Sequence, residues 1–166
     1  QDGQLTRQEA PTGPARQHFL YIDADKNGLM TRREYEAIAT IFTQSQNALL
    51  AIQPPKTGIT NSPSVQWKQT RGLPYVPTPL FYEGRLYLVK NGGLASCLDA
   101  KTGQVFYQEE RIGALGDYYS SPVAARGKIC VASQQGTVVI FRAGETLEIL
   151  TRNSLKEPIL STPAIV

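Results

Sequence analysis

The sequence predicts an α+β protein in two parts: a small helical module over residues 1–52, a linker over 53–66, and an all-β antiparallel repeat array over 67–166. Three observations carry this reading. Apolar residues flank an oxygen-rich stretch at helical spacing, the composition changes abruptly after Ile52, and a long segment of the second half repeats itself.

The twelve residues Asp23 to Glu34, DADKNGLMTRRE, place oxygen donors at alternate positions. Asp23, Asp25 and Asn27 stand at loop positions 1, 3 and 5, and Gly28 at position 6 permits a sharp turn with positive φ. Leu29 offers its backbone carbonyl at position 7, Thr31 can ligate at position 9 directly or through water, and Glu34 supplies a bidentate carboxylate at position 12. Phe19 and Ile22 before the loop, and Tyr35, Ile38, Ala39 and Phe42 after it, form one apolar stripe on each flanking helix. Thr31 with Glu34 reads as a capping box that opens an exit helix running to about Ile52, where Pro54 and Pro55 stop it. The pattern resembles an EF-hand, which implies binding of Ca²⁺ through Asp23, Asp25, Asn27, Leu29, Thr31 and Glu34. Six to eight oxygen ligands suit calcium better than the strict octahedron of magnesium.

DGQLTRQE (Asp2 to Glu9) repeats NGLMTRRE (Asn27 to Glu34) at an offset of 25 residues. Asp2, Gly3, Leu5, Thr6 and Glu9 then occupy positions 5, 6, 8, 9 and 12 of a second, truncated loop. EF-hands work in pairs joined at position 8, so the resemblance implies a contact between Leu5 and Met30. Pro11, Gly13 and Pro14 leave room only for a very short first exit helix, and the second entering helix is expected to start near Pro14.

The stretch QPPKTGITNSPSVQ, with three prolines and no long apolar run, reads as the linker. Beyond it, the segments from Thr78 and from Ser121 align 43 residues apart, with Pro79 matching Pro122, Gly84 matching Gly127 and Gly93 matching Gly136. A further copy begins at Thr162. Each unit holds four strand-like runs rich in Val, Ile, Tyr, Phe and Leu, broken by turns at Glu83-Gly84, Asn91 to Gly93 and Ala100 to Gly103 and at their counterparts. That period and strand count predict β-propeller blades, about two and a half of them. Trp67 falls where Tyr107 and Leu150 fall in the later units and is expected on the outer strand of a preceding blade.

The run Leu98 to Tyr107, LDAKTGQVFY, preceded by GRLYL, resembles the pyrroloquinoline-quinone-like repeat of quinoprotein dehydrogenases and of the propeller lipoproteins of outer-membrane assembly. In that family an aromatic, commonly Trp, follows a tight turn and docks between neighbouring blades. The resemblance implies an extracytoplasmic place and a non-catalytic scaffold that binds a protein partner. The competing implication is a fragment of a quinone-dependent dehydrogenase whose active site lies in blades outside this chain. The adjacent-cysteine disulfide of those enzymes is not found, since Cys97 and Cys130 are 33 residues apart and read as buried free thiols. Asp99 and Asp117 are the only acids placed near turns that could face a channel, and no catalytic residue is assigned. Tyr118 and Tyr119 read as interblade contacts, with a binding surface as the other use.

His18 is the only histidine, which deprives a triad or a zinc centre of its usual base or ligand. With 17 basic against 14 acidic residues and no cationic run, no nucleic-acid partner is expected. No stretch approaches the roughly 20 apolar residues of a membrane span, and neither a signal peptide nor an initiating Met is present. The chain opens inside a loop and closes inside a repeat, so it is expected to be excised from a longer protein.

Overall fold

The computed structural model describes residues 3–54 and 64–165, which form two compact units parting between Gln46 and Asn47. In the first unit the chain runs through β1 (Gln4–Thr6), α1 (Pro14–Gln17), α2 (Phe19–Ile22), β2 (Leu29–Thr31) and α3 (Arg32–Gln44). β1 and β2 pair antiparallel with Leu5 opposite Met30, the contact implied by the N-terminal repeat. Ala10, Phe19, Ile22 and Met30 are buried together, with Ala15 and Ile38 against them. The expected helix from Pro14 is split at His18: its N–H closes on the Pro14 carbonyl, its own carbonyl accepts from Ile22, and its backbone (φ −100°, ψ 17°) falls between the two turns. Where a very short first exit helix was expected there is a turn and no helix, in which Glu9 and Ala10 both donate to the Thr6 carbonyl.

α3 starts as expected, with the Thr31 hydroxyl accepting from the Glu34 amide and the Glu34 carboxylate accepting from the Thr31 amide. It ends early. Ser45 turns extended (φ −66°, ψ 127°), and Leu49–Gln53 forms a strand, β3, where the sequence predicted helix up to Ile52. Ser45 and Asn47 favour non-helical backbone, and the residues after them find a ladder partner in β4 (Ser64–Gln69), with Ala51 opposite Trp67. Tertiary pairing outweighs propensity here. Residues 47–52 therefore lie with the strands, and the two ends of the expected linker 53–66 are themselves strand, Gln53 in β3 and Ser64 to Gln66 in β4; residues 55–63 are outside the described residues, as is Asp2 of the truncated loop.

Two four-stranded meanders follow. The first is β5 (Leu80–Tyr82), β6 (Arg85–Lys90), β7 (Leu94–Asp99) and β8 (Val105–Arg111); the second is β9 (Val123–Ala125), β10 (Lys128–Ala132), β11 (Thr137–Arg142) and β12 (Ile149–Ser154). Each is antiparallel and ordered as in the sequence. The β5–β6 and β9–β10 hairpins turn on two residues of positive φ, Glu83-Gly84 and Arg126-Gly127, a twist that matches the strands. Gly93 and Gly136 are required for a second reason, because a Cβ there would strike the carbonyl of Ala114 or of Glu157.

The core lies between the meanders. Tyr87, Val89, Cys97 and Tyr107 of the first meet Ile129, Val131, Val139 and Phe141 of the second, and burying each large side chain contributes about 1.5–3 kcal/mol. Cys97 is a buried free thiol that burial pushes up to about 11; Cys130 is free and half-buried. Tyr118 is buried with its hydroxyl on the Ala114 carbonyl, whereas Tyr119 is 39% exposed.

Four further contacts tie successive repeats together. The Tyr82 hydroxyl accepts from the Gly127 amide. The Thr78 amide donates to Ser121 Oγ at 2.9 Å, and the Ser121 amide donates to Thr162 Oγ1 at 3.0 Å, so each Thr/Ser-Pro step receives the amide of the step before it. Trp67 lies against Gly103 and donates its indole N–H to the Ala100 carbonyl at 3.2 Å. Gly103 has φ +74°, and an added Cβ would sit 2.7 Å from the indole.

Two outcomes follow from these seams. Gly103→Ala is expected to cost roughly 1–2 kcal/mol for the left-handed backbone, plus the displacement of Trp67, the single tryptophan. Gly84→Ala, with open space around its Cβ, is expected to cost the backbone part alone. Urea midpoints check both, and indole emission is expected to shift only for Gly103→Ala. Ser121→Ala removes the acceptor of the Thr78 amide, which lies at the surface, and is expected to cost about 0.5–1 kcal/mol in the same assay.

Candidate metal centre

Asp23 caps the end of α2, where its amide donates to the Phe19 carbonyl. Its side chain turns inward and is only 3% exposed. Asp23 Oδ1 accepts from the Asn27 amide at 3.1 Å, and Oδ2 accepts from the Gly28 amide at 2.9 Å. Asp25 accepts from the amide and the side-chain nitrogen of Asn27, and Asn27 Oδ1 accepts from the Leu29 amide at 2.8 Å. Lys26 and Gly28 both take positive φ, which folds the backbone around the acidic side chains. Gly28 does so at no steric cost.

Glu34 reaches back from the first turn of α3. Its Oε1 accepts from the Ala24 amide at 3.0 Å, and its Oε2 accepts from the amide and hydroxyl of Thr31 at 2.9 and 2.7 Å. These contacts, the Thr31 amide foremost, hold the Glu34 carboxyl below the usual glutamate range. Carboxylate oxygens of Asp23, Asp25 and Glu34 all lie within 4.8 Å of one another. The local sequence thus brings three acids from the end of one helix, a loop and the start of another to one point. Each keeps lone pairs beyond those used by backbone N–H groups.

The donors are all oxygens and the acids are close, a set that fits a hard divalent cation rather than a thiolate- or imidazole-seeking metal. Asn27, Leu29 and Thr31 are placed along the same loop. The Ala24 amide, which joins the loop to Glu34, was not read from the sequence because a backbone donor carries no side-chain signature. In the truncated first loop the same bracket recurs, with Thr6 donating its amide and hydroxyl to Glu9 Oε2, both at 2.8 Å.

Elsewhere, His18 lines an apolar groove of about 630 Å³ with Pro11, Pro14, Ile22, Tyr35 and Ile38. Asp99 closes its own turn through one oxygen, Oδ1 accepting from the Lys101 amide and from the amide and hydroxyl of Thr102. Among the described residues no helix is long and apolar enough to cross a membrane.

Consecutive four-stranded meanders, packed face to face and linked by a repeated Thr/Ser-Pro step, define a propeller repeat protein. A family model described as outer membrane protein assembly factor BamB matches residues 38–164, and the chain belongs to that family. Two solved structures share the fold. A europium-containing methanol dehydrogenase is 14% identical, with a TM-score of 0.50 over 64% of this chain. BamB from Moraxella catarrhalis is 16% identical, with a TM-score of 0.50 over 62%. The matched parts span 21% and 31% of those two proteins. No curated protein sequence matches the chain.

Because the folded Glu34 carboxyl titrates lower than a free one, its capping contribution is fully present above the ordinary glutamate pKa and is lost as pH falls through the lowered value. In chelator-treated protein the Thr31 amide resonance is expected to titrate with a midpoint below that of an unstructured glutamate peptide. Glu34→Gln is expected to abolish that titration.

Proposed function

We propose that the N-terminal unit is a calcium-binding helix-loop-helix of the EF-hand kind, attached to a non-catalytic propeller that serves as a protein-interaction scaffold outside the cytoplasm. The observation that carries the calcium reading is the convergence of Asp23, Asp25 and Glu34 within 4.8 Å. The ligands would be the side-chain oxygens of Asp23, Asp25, Asn27, Thr31 and Glu34 with the Leu29 carbonyl. When bound, Ca²⁺ supplies positive charge that balances the three carboxylates. Asp23 anchors one side of the loop at the end of α2, and Glu34 anchors the other at the start of α3, so ligation by both fixes the angle between these helices.

The scaffold reading, its protein partner and its extracytoplasmic place rest on membership of the BamB family. The alternative is a fragment of a quinone-dependent dehydrogenase with its active site in other blades. The fold is common to both kinds of protein. The scaffold is preferred because the family model that matches most of the chain is that of an assembly factor.

Titration calorimetry of the chelator-treated full chain is expected to show one calcium site. Glu34→Gln is expected to weaken it by more than about tenfold, since even outer partners of a metal are worth that much. Unchanged calcium heat in the variant overturns the assignment.

A further inference from the structure

Among the described residues, three buried side-chain polar atoms make no hydrogen bond of good geometry: Arg85 Nε, Tyr87 Oη, which lies near the Gly144 backbone and the Cys97 thiol, and Tyr107 Oη. They share one place. Tyr87 on β6 stands opposite Cys97 on β7, and Cys97 stands opposite Tyr107 on β8, so the three side chains form a row across one face of the first meander. Arg85 precedes Tyr87 by two positions on the same strand and therefore shares that face.

The second meander covers the row. Cys97 Sγ donates to the Gly144 carbonyl at 3.6 Å, the Phe141 ring lies 6.4 Å from that of Tyr87, and Arg85 Nη2 pairs with Glu145 at 2.8 Å. Tyr87 is fully buried and Tyr107 is 5% exposed, so bulk solvent does not serve their hydroxyls. A buried orphan is costly, and clustering of all three at one seam points to a shared guest.

The chemistry narrows the guest. It must accept from the Arg85 N–H and exchange hydrogen bonds with two phenols. A cation is repelled by the guanidinium. An anion finds no spare positive charge, because Arg85 is already paired with Glu145 and also lies over the Phe106 ring at 5.6 Å. We infer that the interblade seam holds one ordered water that bridges Arg85 Nε and the hydroxyls of Tyr87 and Tyr107. A phenol is protonated at neutral pH, so both tyrosines can donate to the water.

The test uses the full chain with Tyr87→Phe and Tyr107→Phe. If the water is present, each variant breaks a satisfied bridge, and Tm is expected to fall by about 2–4 °C. Water-oxygen magnetic relaxation dispersion is expected to lose one slowly exchanging molecule in each variant. A crystal structure of the wild-type chain is expected to show a water about 2.6–3.2 Å from both hydroxyls. Empty density there, a rise in Tm, or a fall in Tm with the slow-water signal intact overturns the proposal.

Discussion

A meander of four short strands cannot leave both of its faces in water when each carries large apolar side chains, and this constraint governs the second unit. The face of β5–β8 that bears Tyr87, Cys97 and Tyr107 is closed by the face of β9–β12 that bears Ile129, Val139 and Phe141. Other features hold the sheets at the distance this burial requires. Gly93 and Gly136 let the connections run across the sheet edge without a Cβ in the way. Trp67 seats on the Gly103 turn, and the hydroxyls of Ser121 and Thr162 receive the amides of the steps before them. The same device recurs because the same sequence recurs.

In the first unit the governing force is electrostatic. Three carboxylates are drawn together although like charges repel, and they are held there by backbone N–H donors from Ala24, Asn27, Gly28 and Thr31. Glu34 does two things at once: it caps α3 and it presents a carboxylate to the loop. A group that balances the charge would therefore act on the helix start as well as on the loop. The Leu5–Met30 pairing braces the strand that leads out of the acidic turn.

Most strand positions were legible because the punctuation is strong. Gly84, Gly103 and Gly127 sit in turns of positive φ that other residues adopt at a cost, so the hairpins are bounded by chemistry that the sequence displays. The acidic loop was legible for a similar reason, since alternate oxygens around a glycine turn are a local pattern. The end of α3 was not. Residues 49–52 are apolar enough for a helix face, and only the distant strand Ser64–Gln69 makes them a strand. Nor could the break at His18 be read, because nothing in that residue forbids a continuous helix.

What the sequence determined by itself was local and periodic: the register of donors from Asp23 to Glu34, the 43-residue repeat, and the turns that cut it into strands. Tertiary structure decided which surfaces meet. The seat of Trp67 on Gly103, the amide-to-hydroxyl links from Thr78 to Ser121 to Thr162, and the contacts of Cys97 with Gly144 and of Arg85 with Glu145 join residues far apart along the chain. Such contacts depend on how two twisted sheets stack, and side-chain spacing along one strand does not encode what the next sheet will place against it.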